Sequence, residues 1–260
     1  MSVIYCGKSN TVPYYIKEAD LNVYSIQELA YFVYNYPMLI SNNFVNKNLI
    51  LYIYTELGMI DLSTELNDLY NLKSNNIAEF LKLILKYSNY YTETEIYNYD
   101  KVLLKLLDMN EQDYINLAGD KLFKLGKYEK AITQYNKIYN KNDEALKKIA
   151  FCYAKLQTYD KAIYFLTLLY EKNSDLSILK NIYFCYKLNG NIDDFNSIGY
   201  EVNDDLLADW DLEIVTEMLK AKNSDTIKNV DEIFLMGDKY VQDNMKIIID
   251  LWKDKYRYIG

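Results

Sequence analysis

The residue types that most often do chemistry are sparse in this chain, and their spacing matches no catalytic pattern. Histidine is absent from the 260 residues. Its absence removes the commonest general base, the usual partner of a serine or cysteine nucleophile, and the commonest metal ligand. Carboxylates could still act as acid and base, but the 37 Asp and Glu residues follow the solvent-facing spacing of helices. We therefore expect no catalytic residue, no metal site and no cofactor, and hence no enzyme.

Two short segments imitate ligand-binding motifs, and each fails at a defining position. Gly7-Lys8-Ser9 matches the end of a phosphate-binding loop, but Ser2 stands where that loop has its first glycine. Residues 108–112 begin like a calcium-binding loop. However, Asp113 replaces the glycine of that loop, and Gly119 replaces its bidentate carboxylate. We expect neither segment to bind its ligand.

The three cysteines also indicate no chemistry. Cys6, Cys152 and Cys185 lack metal-ligand spacing, and an odd number gives no disulfide framework. Cys152 and Cys185 lie in identical Phe-Cys-Tyr tripeptides, which favours two equivalent buried cysteines that act as small apolar residues over a redox pair. Reduced thiols fit a cytoplasmic location.

Composition narrows the class of protein further. Half of the residues are apolar and a quarter are charged, as in soluble globular proteins. The net charge of −8 argues against nucleic-acid binding, which requires a basic face. The most apolar run, Leu49 to Ile53, is too short for membrane insertion. Only two prolines and eight glycines interrupt the chain, which favours long helices with short connections.

Residues 1–110 are predicted to be a helical region with a short irregular or extended start around Pro13. Ser25 with Glu28, and Thr92 with Glu95, have the spacing of capping boxes, which begin helices. The apolar spacing predicts five helices, over residues 25–36, 44–57, 61–70, 76–87 and 92–107.

A repeated pattern follows over residues 111–200. It pairs a small residue in one helix with a Gly-x-Tyr turn and an alanine in the next, first as Gly119, Gly126, Tyr128 and Ala131. The matching residues of a second unit are Ala150, Tyr153, Tyr159 and Ala162, and those of a third are Ile182, Tyr186, Gly190, Ile192 and Phe195. In the third unit, Phe195 and Gly199 replace the alanine and the large residue that follows it, so its second helix is expected to be short or displaced.

This pattern resembles the tetratricopeptide repeat, over about residues 112–200, with a degenerate unit near 226–258. The resemblance implies an all-α fold, in which antiparallel helix pairs form a right-handed solenoid behind the helical N-terminal region. Residues 201–260 would then be C-terminal helices, including the degenerate repeat and a cap, with one helix over Asp204 to Lys222. We attribute the small residues to close crossing of the two backbones at Gly119 and Ala131.

The resemblance also implies a binding surface. In this family the first helix of each pair, the A helix, lines a concave groove. The residues of this chain at the groove positions are Asn116, Asp120, Phe123, Lys124, Lys147, Phe151, Lys155, Lys180, Phe184 and Lys187. Lysines and phenylalanines would suit a partner segment that carries acidic and apolar side chains. The surface does not match the carboxylate clamp of chaperone-binding repeats, since Asp120 would repel a carboxylate.

The resulting hypothesis is a protein-interaction scaffold or adaptor that binds a protein or peptide in this groove. Two alternatives remain open at this point. The chain could be a structural or assembly subunit that forms a homo-oligomer or larger complex through its Tyr-rich helices. It could also be a peptide-sensing regulator. A structural reading of the groove residues stays open as well, in which Phe151 and Phe184 pack against the next repeat and the lysines are solvated.

Overall fold

The computed structural model describes residues 12–41, 43–72, 77–235 and 244–251. Over these residues the fold is all-α, as predicted, and a two-stranded hairpin is the only sheet among them. The helices are α1 (Ile26–Asn35), α2 (Lys47–Thr55), α3 (Ile60–Asn71), α4 (Ile77–Tyr87), α5 (Glu93–Leu107), α6 (Glu111–Lys124), α7 (Tyr128–Tyr135), α8 (Asp143–Lys155), α9 (Tyr159–Asn173), α10 (Leu176–Asn189), α11 (Ile192–Ile198), α12 (Asp204–Lys222) and α13 (Asp225–Leu235). Short 3-10 helices span Pro37–Leu39 and Tyr139–Lys141, and residues 244–251 are also helical.

The chain divides into two compact units, residues 1–152 and 153–260, and the division falls inside α8. The domain boundaries proposed after residues 110 and 200 remain predictions. Within each unit, helices that follow one another in the chain pack in adjacent pairs. The pairing is that of a helical-repeat protein.

The described part of the first unit begins with the predicted extended segment. Strand β1 (Tyr14–Ile16) pairs antiparallel with β2 (Leu21–Val23), and Tyr14 lies opposite Val23. Strand β2 was not predicted from the sequence. The turn between the strands includes Asp20, which has a positive φ of 53° and accepts a 2.8 Å hydrogen bond from the Tyr15 hydroxyl.

Capping fixes where the N-terminal helices begin. The Ser25 hydroxyl accepts a hydrogen bond from the Glu28 amide, and Thr92 with Glu95 forms the complete reciprocal box that begins α5. The helix predicted to begin at Phe44 begins instead at Lys47, because Asn46 caps α2 by accepting from the Leu49 amide at 3.0 Å.

Two buried tyrosines connect elements of the N-terminal region. The Tyr52 hydroxyl donates to the Val23 carbonyl at 3.0 Å, and the Tyr99 hydroxyl donates to the Val33 carbonyl at 2.8 Å. Burial raises the pKa of Tyr52 to about 12 and raises the pKa of Tyr99 as well. Both hydroxyls are therefore protonated donors at neutral pH.

The first repeat belongs to the same unit as the N-terminal region. The Tyr114 hydroxyl of α6 donates to the Met38 carbonyl at 2.9 Å. At the other end of the pair, Lys127 lies 3.3 Å from the carboxylate of Asp20, in the hairpin turn. These contacts fix the orientation of α6 and α7 against the N-terminal elements.

In the second unit, α10 packs against α9, α11 and α12, and α12 packs against α13. The seven-residue α11 confirms that the third repeat has a short second helix, which ends where Gly199 adopts a φ of 74°. The predicted helix over Asp204–Lys222 is confirmed as α12. The degenerate repeat near 226–258 remains a prediction, since residues 236–243 and 252–260 lie outside the described residues.

Candidate protein-interaction surface

The first helix pair is built around Gly119. A Cβ atom at this position would lie 2.4 Å from Cε1 and 2.7 Å from Cζ of the Tyr135 side chain. The Tyr135 ring of α7 therefore requires a glycine at this position of α6. The predicted reason, close crossing of the two backbones at Gly119 and Ala131, is replaced by this contact between a ring and a backbone. Tyr135 is almost completely buried, so its ring packs directly on the α6 backbone.

Asp120 holds this ring in place. Its carboxylate accepts a 2.6 Å hydrogen bond from the Tyr135 hydroxyl and forms a 2.7 Å ion pair with Lys148 of α8. The ammonium of Lys148 also lies 5.5 Å from the centre of the Tyr135 ring. Burial raises the pKa of Tyr135, and the bond to Asp120 raises it further. Asp120, which was predicted as a groove residue, thus connects α6, α7 and α8, and its role in a groove stays a prediction.

The Lys/Phe pair of α8 consists of Lys147 and Phe151. One helical turn separates the two residues, and the ammonium lies 5.8 Å from the ring centre. A lysine over an aromatic face at this distance contributes about 0.5–1 kcal/mol at an exposed site. Both side chains are partly exposed, so the pair presents an apolar ring and a cation together.

The Lys/Phe pair of α10 repeats this geometry. Lys180 lies 5.4 Å from the ring centre of Phe184, again with one helical turn between the two residues. Lys180 also forms an ion pair with Glu213 of α12. The cation therefore contacts both an aromatic ring and a carboxylate.

Lys187, one turn after Phe184, is held by a second carboxylate. It forms a 2.8 Å ion pair with Asp211 of α12, and the Tyr183 hydroxyl donates to the same carboxylate at 2.6 Å. The ammonium of Lys187 lowers the pKa of Asp211, and the bond from Tyr183 lowers it further. The pKa of Lys187 is raised in return, mainly by its bond to Asp211. Lys187 therefore connects α10 to α12.

The other predicted groove residues lie in different environments. The Phe123 ring packs edge-on against Tyr128 of α7, with 5.2 Å between centres, and thus contributes to the first helix pair. Lys124 and Lys155 are exposed at the C-terminal ends of α6 and α8. The Oδ1 atom of Asn116 is buried and has no hydrogen-bond partner among the described residues.

Lys147 with Phe151, and Lys180 with Phe184, form matching pairs one helical turn apart. Asp120, Phe123 and Lys187 contact a neighbouring helix, and Lys180 does so as well through Glu213. Asp211 and Glu213, which bind the lysines of α10, were not predicted from the sequence, because they lie on a different helix and no spacing within α10 indicates them.

The two described thiols carry no evident chemistry. Cys152 and Cys185 are buried, as predicted, and burial raises their pKa values to about 12 and about 11. Within the described part of the chain, no group of three or more Cys, Asp or Glu residues could hold a metal ion. In the same residues, no helix combines the length and apolar character needed to cross a membrane.

Comparison with protein-family models, with curated proteins and with solved structures finds no match to this chain.

Proposed function

We propose that this protein is a non-enzymatic interaction scaffold or adaptor, built on tetratricopeptide-like repeats, that binds segments of other proteins through its A helices. The Lys/Phe pairs of α8 and α10 are the binding elements. We place the protein in the cytoplasm, where its two buried thiols would stay reduced.

One observation carries this proposal: the two Lys/Phe pairs are the same structure on two different helices. Phe151 and Phe184 occupy the same place in consecutive repeats, and each ring has a lysine ammonium near it, at 5.8 Å and 5.4 Å from the ring centre. Packing between the helices of a repeat explains why some residues of an A helix are buried. That packing does not require a partly exposed ring with a cation over it. A repeated surface element of this kind is suited to binding.

The chemistry of the pairs defines the partner. A partly exposed phenylalanine gains affinity when an apolar side chain covers it, since aromatic anchors dominate most interfaces. The lysine beside it favours a carboxylate on the same partner segment. Lys180 already pairs with Glu213 of α12, so a partner carboxylate at this pair would compete with Glu213.

The test is affinity capture with variants of the full chain. Immobilised native protein, the F151A/F184A double variant and a Tyr97→Ala control would be incubated with extract of the source cells, and captured proteins quantified by mass spectrometry. The control is matched, because Tyr97 on α5 is exposed and has the ammonium of Lys101 5.6 Å from its ring centre, but lies outside the repeats.

We expect at least one protein to be captured equally by the native chain and the Tyr97→Ala control, and about tenfold less or lower still by F151A/F184A. Unchanged melting of all three proteins, followed by circular dichroism, would exclude unfolding as the cause. If the F151A/F184A variant still captures every protein that the native chain captures, the proposal is wrong.

A further inference from the structure

The outer face of α12 is apolar although it is exposed. Leu212, Val215, Met218 and Leu219 are 68%, 48%, 57% and 53% exposed. The opposite face of the helix is buried at Trp210, whose ring packs against Tyr183 of α10 with 5.6 Å between centres. The helix therefore has two apolar faces, and only one of them is covered by the packing just described.

The exposed residues form a continuous stripe. Leu212, Val215 and Leu219 follow the spacing of three and four positions that places side chains on one face of a helix. A solvated helix face is normally polar, so a stripe of large apolar residues marks an interaction surface.

The charges of α12 indicate what covers the stripe. Asp204, Asp205 and Asp209 lie in the N-terminal part of the helix, and Lys220 and Lys222 lie at its C-terminal end. Glu213 and Glu217 lie near the middle, where Glu213 pairs with Lys180 of α10 and Glu217 pairs with Lys220. A second α12 packed antiparallel would bring the acidic end of each helix to the basic end of the other. A second α12 packed parallel would bring like charges together, which is destabilising.

We propose that α12 is a homodimerisation helix, which packs antiparallel against α12 of a second copy around a two-fold axis near Val215. A two-fold interface must be self-complementary, and this helix satisfies that condition in its apolar stripe and in the charges at its two ends. Asp209 and Lys220 lie on the same flank of the helix, because about three whole turns separate them. In the antiparallel pair, Asp209 of each copy therefore faces Lys220 of the other.

This inference is independent of the proposed function, because it concerns a different face of a different helix. The interface covers a few residues on each copy, so we expect a weak dimer with a Kd of about 10–100 µM. Sedimentation velocity from about 1 to about 200 µM should accordingly show conversion from monomer to dimer.

The first variant is Val215→Lys, which places two ammonium groups next to each other at the two-fold axis. We expect it to remain monomeric over the whole concentration range. Val102→Lys is the matched control, because Val102 is a similarly exposed valine on α5. The control should dimerise as the native chain does.

A charge exchange tests the register. Asp209→Lys and Lys220→Asp should each weaken dimerisation about tenfold or more, since each places like charges opposite each other twice per dimer. The D209K/K220D double variant should restore the native dimer. Loss of the Lys220–Glu217 pair within the helix matters little, because both side chains are about two-thirds exposed.

Three results would overturn the proposal. One is a native chain that stays monomeric at every concentration, as expected if its own C-terminal residues cover the stripe. Another is a dimer that Val215→Lys leaves intact. The third is a dimer that the single charge changes weaken but the double variant does not restore, which would exclude the antiparallel register.

Discussion

Replacing Gly119 with alanine tests whether the Tyr135 ring fixes the first helix pair. The added Cβ would lie 2.4 Å from Cε1 of the ring, closer than packed atoms can approach. The ring has little room to move, because it is buried, and its hydroxyl is bound to Asp120, which Lys148 holds in turn. Overpacking of this kind costs about 1–3 kcal/mol.

A second effect opposes the first. Alanine favours the helix over glycine by about 1 kcal/mol, so an uncrowded Gly119→Ala would stabilise the protein. With about 2 kcal/mol for the clash, we expect a net loss of about 1 kcal/mol in the free energy of unfolding, or about 2–4 °C in melting temperature. Urea unfolding followed by far-ultraviolet circular dichroism would measure this loss.

The decisive control is the same substitution in a Tyr135→Leu background, which lacks the Cε1 and Cζ atoms that cause the clash. There Gly119→Ala should be neutral or stabilising, so the two substitutions are coupled by about 1–2 kcal/mol. If alanine stabilises the protein equally in both backgrounds, the ring does not occupy this position and the reasoning fails.

Three further predictions concern other parts of the chain. Thr92→Ala should lower the free energy of unfolding by about 1 kcal/mol in urea titrations, because it removes the capping box of α5. In a Cys6→Ser background, a thiol reagent at about pH 8 should label neither Cys152 nor Cys185 until urea is added, since burial raises their pKa values to about 12 and about 11. Rapid labelling of the folded protein would contradict their burial. Asp211→Asn should lower the free energy of unfolding near neutral pH. The difference in this free energy between the variant and the native chain should shrink as the pH falls through the lowered pKa of Asp211. It should also shrink as the pH rises through the raised pKa of Lys187. A difference that is constant from about pH 3 to about pH 11 would exclude the ion pair as its cause.

Local signals in the sequence predicted the ends of a helix correctly where single polar residues determine those ends. The Thr92 capping box predicts the first residue of α5 correctly. Polar residues at 203–205 and at 223 mark the two ends of α12. The prediction failed at Phe44, whose buried ring packs against Phe32 from a loop. Apolar spacing cannot distinguish such a loop residue from the first turn of a helix.

The candidate site could be predicted only in part, for a physical reason. Helical spacing puts Lys180 and Phe184 on one face, and the structure places them together. The partners of the lysines of α10 depend on how α12 lies beside that helix. The ion pair between Lys180 and Glu213 joins two different helices, and the spacing within one helix does not report such contacts.

The most direct test of the binding role is the affinity of each Lys/Phe pair for a partner identified by capture. The purified partner would be titrated calorimetrically into the native chain, Phe151→Ala, Phe184→Ala and the Tyr97→Ala control. If a Lys/Phe pair binds the partner, the phenylalanine variant of that pair should weaken binding about tenfold or more, and the control should stay within about twofold of the native Kd. Equal affinities for all four proteins would show that the partner binds elsewhere and would contradict the account.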